Sequence, residues 1–213
     1  VFTKSDAYQW KWEDGDGMID FTPLEEYAEK LKRYFMLKRD NGILEARLHT
    51  DGKEFYWDTA AHKSIHKFFR WASEGHNNEV IIFGGSGKNF FSAIKGDSES
   101  DDPEQQHAVD HGESADILWK LYEHSYYDGT NNIEAQIEVE QPTIGVWNGA
   151  LFHNELPMLC DITIATEDAW FAEMHFQANM VPGDGVQICL RNLMGRKRFA
   201  YAELTGQVLT ARQ

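Results

Sequence analysis

Hydrophobic and polar positions follow two different periods in the first half of the chain. Residues 34–40 and 43–50 predict two strands on either side of Asn41-Gly42, a dipeptide typical of tight β-hairpin turns. Residues 58–75 then repeat apolar side chains at helical spacing, and residues 79–83 form a short apolar run that predicts a buried strand. The order strand, helix, strand predicts a βαβ unit with parallel strands and a right-handed crossover.

Further elements are predicted on both sides of this unit. Residues 1–20 show no period and predict an N-terminal arm, whereas the residues after Phe21 predict a short helix with Thr22 as its cap and Pro23 at its first position. The remaining predicted strands are 143–149 and 161–166. The remaining predicted helices are one around Ile117–Tyr122, one at about 131–140, one after Gly183 with Val186, Cys189, Leu190, Leu193 and Met194 on one face, Arg196–Leu204, and a further helix beginning at 209–213.

The charge balance of the chain excludes several classes of partner. Its 35 acidic and 20 basic residues give a net charge of −15. Such a chain lacks the clustered cations that bind phosphates, so neither nucleic acid nor an anionic membrane surface is an expected partner. No apolar run approaches the ~20 residues that span a bilayer, and no signal-peptide pattern opens the sequence. Cys160 and Cys189 lie in apolar segments and are expected to be buried free thiols, as in a cytoplasmic protein.

Three patterns look like ligand sites without completing one. The glycines of residues 84–91 follow a buried strand, as in phosphate-binding loops, but the glycine spacing of a P-loop is missing. His62 and His66 have the spacing of two metal ligands on a helix, and His107 and His111 repeat that spacing in an acidic segment. Neither pair has an evident third ligand, so no metal and no cofactor is predicted.

Ionisable residues interrupt the apolar stretch between residues 142 and 185. His153 and Glu155 follow one apolar strand, His175 follows the next, and Asp184 precedes a helix. Each residue has a structural alternative, since Asp184 with a glutamine three positions later forms a capping box and the histidines fit a core position. As a group, imidazoles and carboxylates in loops after buried strands predict proton-transfer chemistry.

Segments that contain these residues resemble the crotonase (enoyl-CoA hydratase/isomerase) superfamily. The resemblance is carried, in family order over most of residues 38–212, by NGILEARLHT, EVIIFGGSGKNFFSAIKG, QPTIGVWNGA, LPMLCDITIATEDAWF, VPGDG and LTGQVLTAR. It implies an α/β fold, a crotonase-like spiral of ββα repeats forming one domain over residues 21–213, with the C-terminal helical part not included in this chain. It also implies an oxyanion hole from two backbone N–H groups, one near Ser92–Ala93 and one after Gly149, and assembly as a homotrimer or hexamer.

Within the superfamily, the departures are similar to the β-diketone hydrolase (6-oxocamphor hydrolase) branch, which acts without CoA. Acyl-CoA hydratases usually carry glycines where this chain has His153 and a second glutamate where it has His175, and only Glu155 matches a hydratase residue. The branch resemblance rests on Trp57, on Phe90 or Phe91, on both histidines and on a Pro-Gly-Asp-Gly with Asp184.

The branch resemblance implies a mechanism. His175, oriented by Asp184, would activate water that cleaves a C–C bond of a cyclic β-diketone, a small-molecule substrate. His153 would assist the oxyanion hole, and His153, Asp184 or Glu155 would protonate the enolate. The substrate would lie against Trp57, Phe90, Phe91, Ser92, Ala93 and Phe152. Two alternatives stay open: an acyl-CoA hydratase or isomerase, and a non-catalytic crotonase-like scaffold.

Overall fold

The computed structural model describes residues 21–57, 59–91, 127–173, 175–177, 181–183 and 185–213. Its helices are α1 Leu24–Leu31, α2 Thr59–Glu74, α3 Asp128–Ile137, α4 Glu155–Met158, α5 Val186–Met194 and α6 Arg196–Thr205. Its strands are β1 Phe35–Asp40, β2 Ile43–Leu48, β3 Val80–Gly85, β4 Thr143–Trp147, β5 Ala150–Leu151, β6 Ile162–Ala165, β7 Trp170–Phe171 and β8 Leu209–Thr210. The predicted arm over residues 1–20 and the predicted helix around Ile117–Tyr122 lie outside the described residues.

Five strands form the main sheet in the order β1-β2-β3-β4-β6. Only β1 and β2 are antiparallel, and Asn41 and Gly42 between them both take positive φ, 46° and 78°, as a type I′ turn requires. The pairs β2–β3, β3–β4 and β4–β6 are parallel. The predicted hairpin and the predicted parallel βαβ unit are therefore confirmed.

The core lies between this sheet and the helices that cover it. The predicted apolar face of α2 is completely buried, and α2 packs against α3 and α1. The buried face of α2 consists of Ala61, Ile65, Phe68, Phe69 and Ala72. Phe68 and Phe69 contact Phe83 of β3, with ring centroids 6.1 and 5.1 Å apart, so the helical period of α2 is matched to the sheet.

A close approach of backbone to backbone fixes the short helix α4 against β4. A side chain at Gly145 in β4 would place its Cβ 2.2 Å from the carbonyl oxygen of Pro157 in α4. From α3, the Gln136 amide donates to the Leu156 carbonyl at 2.5 Å. The helix that begins at Glu155 is thereby held between β4 and α3.

A second, small sheet has the order β5-β7-β8. Here β5 and β7 are parallel, and β8 pairs with β7 in the antiparallel direction, Phe171 opposite Leu209. The prediction of a helix beginning at residues 209–213 is therefore wrong. The side of β7 that does not pair with β5 forms main-chain hydrogen bonds with this segment. The Ala211 N–H also donates to the Ala169 carbonyl at 2.9 Å. Tertiary pairing has overridden a weak local helix preference.

Other details also differ from expectation, and the helix predicted at about 131–140 spans Asp128–Ile137. The residue preceding α1 is Pro23, whose carbonyl accepts the N–H groups of Glu26 and Tyr27, so Thr22 is not its cap. In α5, Leu193 is 64% exposed although it was predicted on the buried face. By contrast, α6 runs from Arg196 to Thr205 and ends at Gly206, close to its predicted bounds. Among the described helices, none combines the length and apolar content needed to span a bilayer.

Candidate active site

The small parallel pair β5–β7 determines where the candidate residues meet. Leu151 at the end of β5 lies opposite Phe171 at the end of β7. The C-terminal ends of neighbouring parallel strands lie at the same edge of the sheet, so the segments that follow these strands begin side by side. His153 comes two residues after β5, and Glu173 and His175 come two and four residues after β7. The register of a short strand pair thus brings two histidine-bearing loops together.

The loop after β5 needs a glycine to reach this position. Gly149 has φ +66°, and a Cβ there would lie 2.2 Å from the Lys88 carbonyl oxygen. Both the left-handed conformation and the close approach exclude larger residues. The Ala150 N–H then donates to the Asn89 side chain at 3.1 Å, and the Phe91 N–H donates to the Ala150 carbonyl at 3.2 Å.

His153 is held on two sides. Its Nδ1 lies 2.8 Å from Oε1 of Glu155, whose side chain is only 4% exposed. Its ring stacks on Trp57, with centroids 3.8 Å apart and an interplanar angle of 13°. The carboxylate fixes the rotation of the imidazole, and the indole fixes its plane.

His175 has a carboxylate partner of its own. Its Nδ1 lies 2.5 Å from Oε1 of Glu173, and its backbone N–H donates to the same oxygen at 2.9 Å. Glu173 is 1% exposed. The rings of His175 and His153 stand edge to face, with centroids 6.3 Å apart and an interplanar angle of 89°. Two imidazole–carboxylate pairs therefore lie next to each other.

Aromatic side chains surround the histidines. Phe91 contacts His153 and Trp57 at 5.5 and 5.6 Å between ring centroids, and Phe152 contacts Phe91 at 5.8 Å. Phe90 instead points into the core and packs on Phe83 at 5.6 Å with no exposed surface. Of the two phenylalanines considered from the sequence, Phe91 is the one placed against the histidines.

Negative charge is concentrated around the two pairs. Burial, followed by the nearby carboxylate of Glu155, raises the pKa of the Cys189 thiol to about 12. Burial and the negative charge of Glu173 raise the pKa of Glu203 on α6, and the His175 imidazole opposes that rise. A thiol with a raised pKa stays protonated near neutral pH, which disfavours Cys189 as a nucleophile. Glu203 therefore interacts electrostatically with both members of the Glu173–His175 pair.

Comparisons with known proteins show which family this fold belongs to. The structure of ABDH, a beta-diketone hydrolase from the cyanobacterium Anabaena, matches with a TM-score of 0.76 and 31% identity, over 88% of this chain and 70% of that one. An enoyl-CoA hydratase from Shewanella pealeana matches with a TM-score of 0.72 and 17% identity, over 90% of this chain and 68% of that one. The chain belongs to the crotonase superfamily.

A curated protein that the chain resembles is a probable peroxisomal enoyl-CoA hydratase 1 from Arabidopsis thaliana. The two are 26% identical over 147 residues, which are 68% of this chain and 49% of the relative. The chain thus spans about half the length of that curated relative. No family model matches the sequence. The predicted superfamily is confirmed, and so is the predicted mixed α/β fold with a mostly parallel sheet.

The structure brings most of the predicted site residues together. Trp57, Phe91, Phe152 and His153 form one cluster, with Glu155 and His175 joined to it. Asp184, Ser92 and Ala93 lie outside the described residues, so their predicted roles stay predictions. Among the described residues, no group of three or more His, Cys, Asp or Glu could hold a metal ion. His62, one of the metal candidates, packs edge-on against Trp57 at 4.9 Å.

Glu173 is the residue whose role sequence reasoning missed. It lies in the same loop as His175, two positions earlier, at a spacing typical of neither a helix face nor a metal motif. Its contact with His175 depends on the tight turn after β7, and no local pattern announces that turn. The available signal was a lone acidic residue at the end of an apolar strand, next to a histidine.

The paired imidazoles are suited to moving protons. A neutral imidazole that donates from Nδ1 to a carboxylate presents Nε2 as its basic nitrogen. The carboxylate also stabilises the imidazolium that forms when Nε2 takes a proton. With two such pairs 6.3 Å apart between ring centroids, one histidine is able to accept a proton while the other donates one.

Proposed function

We propose that this protein is a CoA-independent hydrolase that cleaves a C–C bond of a cyclic β-diketone, with His175 as the general base. The single observation that carries the proposal is the pair of buried carboxylates, each bonded to one of two adjacent histidines. Glu155 and Glu173 hold His153 and His175 at 2.8 and 2.5 Å. This arrangement supports water activation and proton donation in one site.

The reaction would proceed through addition and elimination. His175 takes a proton from water, and the hydroxide oxygen bonds to one carbonyl carbon of the diketone, whose oxygen becomes an oxyanion. The oxyanion collapses, the bond to the carbon between the two carbonyls breaks, and its electron pair forms an enolate. The enolate carbon takes a proton, and the product is a ring ketone carrying a carboxylate. Backbone donors for the oxyanions are typically worth about 3–4 kcal/mol each.

His153 would act on the oxygen that becomes negative. It follows β5 in the loop that provides one predicted oxyanion donor, and its stacking on Trp57 at 3.8 Å keeps the ring in one orientation. A fixed donor needs no reorganisation as charge develops. His153 would be able to donate a hydrogen bond to the enolate oxygen or a proton to the enolate carbon. Asp184 and Glu155 are the other proposed donors of that proton.

The surroundings favour a carbocyclic substrate over an acyl-CoA. Trp57, Phe91 and Phe152 offer apolar contact, with Phe90 behind them in the core, and Ser92 and Ala93 are proposed to complete the contact surface. CoA requires cations for its phosphates, whereas the chain carries a net charge of −15. The Anabaena hydrolase was solved with (S)-3-oxocyclohexyl acetic acid bound. That compound is a ring ketone with a carboxylate arm, the product type proposed here.

The test uses bicyclo[2.2.2]octane-2,6-dione, whose hydrolysis gives a 3-oxocyclohexyl acetic acid. We expect the protein to form that keto acid, measured by chromatography with mass detection. His175→Ala should lose nearly all of this activity because the base is gone. His76→Ala is the matched control, since it removes a histidine that packs against Phe21 and has no assigned role. Turnover by His175→Ala at the wild-type rate would refute the assignment.

The second candidate is an acyl-CoA hydratase or isomerase. Buried Glu155, the one residue that matches a hydratase glutamate, is the observation that favours it, together with the similarity to the hydratase from Arabidopsis. Crotonyl-CoA hydration, followed by loss of absorbance of the conjugated thioester, separates the two functions. Turnover of crotonyl-CoA without turnover of the diketone would replace the first proposal by the second. A scaffold without activity would turn over neither compound.

We also propose that the protein assembles as a homotrimer or hexamer in the cytoplasm. Exposed apolar side chains on α5, on α6 and just after α6 support an assembly, because large apolar side chains on one part of a surface favour association. These side chains are Ile188, Leu193, Tyr201, Leu204 and Val208. Light scattering on the eluting protein should give three or six times the mass of the chain, and a monomer would contradict this.

A further inference from the structure

Residues 84–91 comprise the glycines that end β3 and the turn that follows them, and this turn already binds an anion supplied by the chain itself. The backbone N–H groups of Lys88 and Asn89 both donate to Oε1 of Glu54, at 2.8 and 3.0 Å. Two converging backbone N–H groups are a typical anion site. Gly87, with φ +82°, makes room for it, because a Cβ there would lie 2.6 Å from Cγ of Glu54. The phosphate-like pattern in the sequence therefore accommodates a carboxylate.

The turn held by Glu54 is connected to the loop that carries His153. The Asn89 side chain accepts the Ala150 N–H at 3.1 Å. Asn148 adds two contacts, donating to the Gly87 carbonyl at 3.2 Å and accepting the Gly85 N–H at 3.2 Å. The turn and the segment after β4 are thus joined through Asn148 and Ala150, which lie five and three residues before His153.

Glu54 is also connected to His153 from the opposite side. It lies three residues before Trp57, in the segment between β2 and α2. Trp57 stacks on the His153 ring, and Phe55 contacts both Trp57 and Phe91, at 6.0 and 5.6 Å between ring centroids. The Glu54 carboxylate therefore joins the two segments that position His153. One segment carries Trp57, which stacks on the His153 ring, and the other is the backbone segment that leads to His153.

We propose that Glu54 is a positioning residue of the active site: as a built-in anion on the 84–91 turn, it aligns the Trp57 segment and the 149–153 loop around His153. The proposal rests on the proposed function, since alignment of His153 matters for turnover only if His153 takes part in it. Glu54 itself contacts no reacting atom. Its removal should slow the chemical step and leave substrate affinity largely unchanged.

The test compares three variants by kinetics with the bicyclic diketone. Glu54→Ala should lower kcat by about 10- to 100-fold, the scale expected when catalytic groups shift by about 1 Å, with KM little changed. Glu54→Gln keeps an oxygen that accepts both N–H groups and should restore most of the rate. Gly87→Ala, which displaces the Glu54 side chain, should behave like Glu54→Ala. Glu45→Ala, which removes a surface carboxylate paired with Arg47, is the matched control and should keep the wild-type rate.

Exogenous anions give a readout that a purely structural role would not move. Formate should enter the space left in Glu54→Ala, accept the same two N–H groups and raise kcat several-fold, with no effect on the wild type. If kcat falls but neither formate nor Glu54→Gln restores it, or if Glu54→Ala keeps the wild-type kcat, the proposal is overturned.

Hydrogen exchange separates this proposal from the proposed function. In Glu54→Ala, the amides of Lys88 and Asn89 should exchange faster than in the wild type, and formate should slow them again. A wild type that does not hydrolyse the diketone would refute the proposed function, while this exchange pattern would still support the carboxylate's hold on the turn. Unchanged exchange in Glu54→Ala would refute that hold whatever the activity.

Discussion

The charge that orients His175 can be removed without changing the shape of the side chain, by Glu173→Gln. In the wild type, Oε1 of Glu173 accepts from His175 Nδ1 at 2.5 Å and from its backbone N–H at 2.9 Å. The glutamine carbonyl oxygen is able to accept both bonds. What the variant loses is the negative charge facing the imidazolium that forms when His175 takes a proton from water.

The size of this loss follows from the type of hydrogen bond. A bond to a charged group is worth about 1.5–3 kcal/mol and a neutral one about 0.5–1.5 kcal/mol, so the substitution costs roughly 1–2 kcal/mol. At about 1.36 kcal/mol per tenfold change in rate, kcat should fall about 5- to 30-fold. KM should change little, because the imidazolium is absent from the ground state.

The assay is keto acid formation from the bicyclic diketone, with Asp184→Asn as the comparison. The family resemblance implies Asp184 as the carboxylate that orients His175, whereas Glu173 is the carboxylate in contact with Nδ1. We expect Glu173→Gln to lose activity in the range above. If Glu173→Gln turns over at the wild-type rate while Asp184→Asn is slow, the reasoning from the Glu173 contact is refuted and the role belongs to Asp184.

Three further predictions concern neighbouring interactions. Trp57→Leu removes a stacked pair worth about 0.5–1.5 kcal/mol and should lower kcat/KM about 2- to 12-fold, because His153 loses its fixed plane. The pKa of Asp161 is lowered first by the hydrogen bond from the Thr143 backbone N–H and then by the hydrogen bond from the Thr143 hydroxyl. Thr143→Val removes the hydroxyl, so it should lower the free energy of unfolding by roughly 1 kcal/mol at pH 7. The loss should become smaller as the pH falls through the lowered pKa of Asp161. Glu203→Gln removes a carboxyl whose pKa is raised by burial and then by Glu173, so it should raise Tm at pH 7 and not below about pH 4.

Each of these predictions has a control or an outcome that would contradict it. Trp71→Phe replaces an indole that stacks on Tyr27 away from the histidines, and it should leave kcat/KM unchanged. For Thr143→Val, chemical denaturation at several pH values should show the largest difference from wild type at neutral pH, and a pH-independent difference would contradict the cause given. A Glu203→Gln protein that melts below the wild type at pH 7 would contradict the assigned effect of its charge.

The frame of the fold was predictable because it depends on local patterns. The Asn41-Gly42 turn, the buried face of α2 and the bounds of α6 each follow from a few neighbouring residues, and all three are present. The C-terminal strand was not predictable in this way. Residues 209–213 have no strong preference of their own, and β7 decides their conformation by offering a strand edge.

The candidate site also combines features that local sequence patterns indicate with features that depend on tertiary contacts. His153 and His175 lie C-terminal to the predicted strands 143–149 and 161–166, so their candidacy was visible in the sequence, whereas the short strands β5 and β7 that bring them together were not predicted. Their partners were not, because the Glu173 contact depends on a turn and the His153–Trp57 stack joins positions far apart in the chain. Likewise the sequence shows glycines in residues 84–91, but only the fold shows that Glu54 binds there.

The most direct test of the central claim is the mass of the product formed in oxygen-18 water. If His175 activates water for C–C bond hydrolysis, the keto acid from bicyclo[2.2.2]octane-2,6-dione should carry one oxygen-18 atom in its carboxylate after a single turnover. His175→Ala should form no such product on the same time scale. Absence of the labelled keto acid from the wild-type reaction would contradict the proposed function.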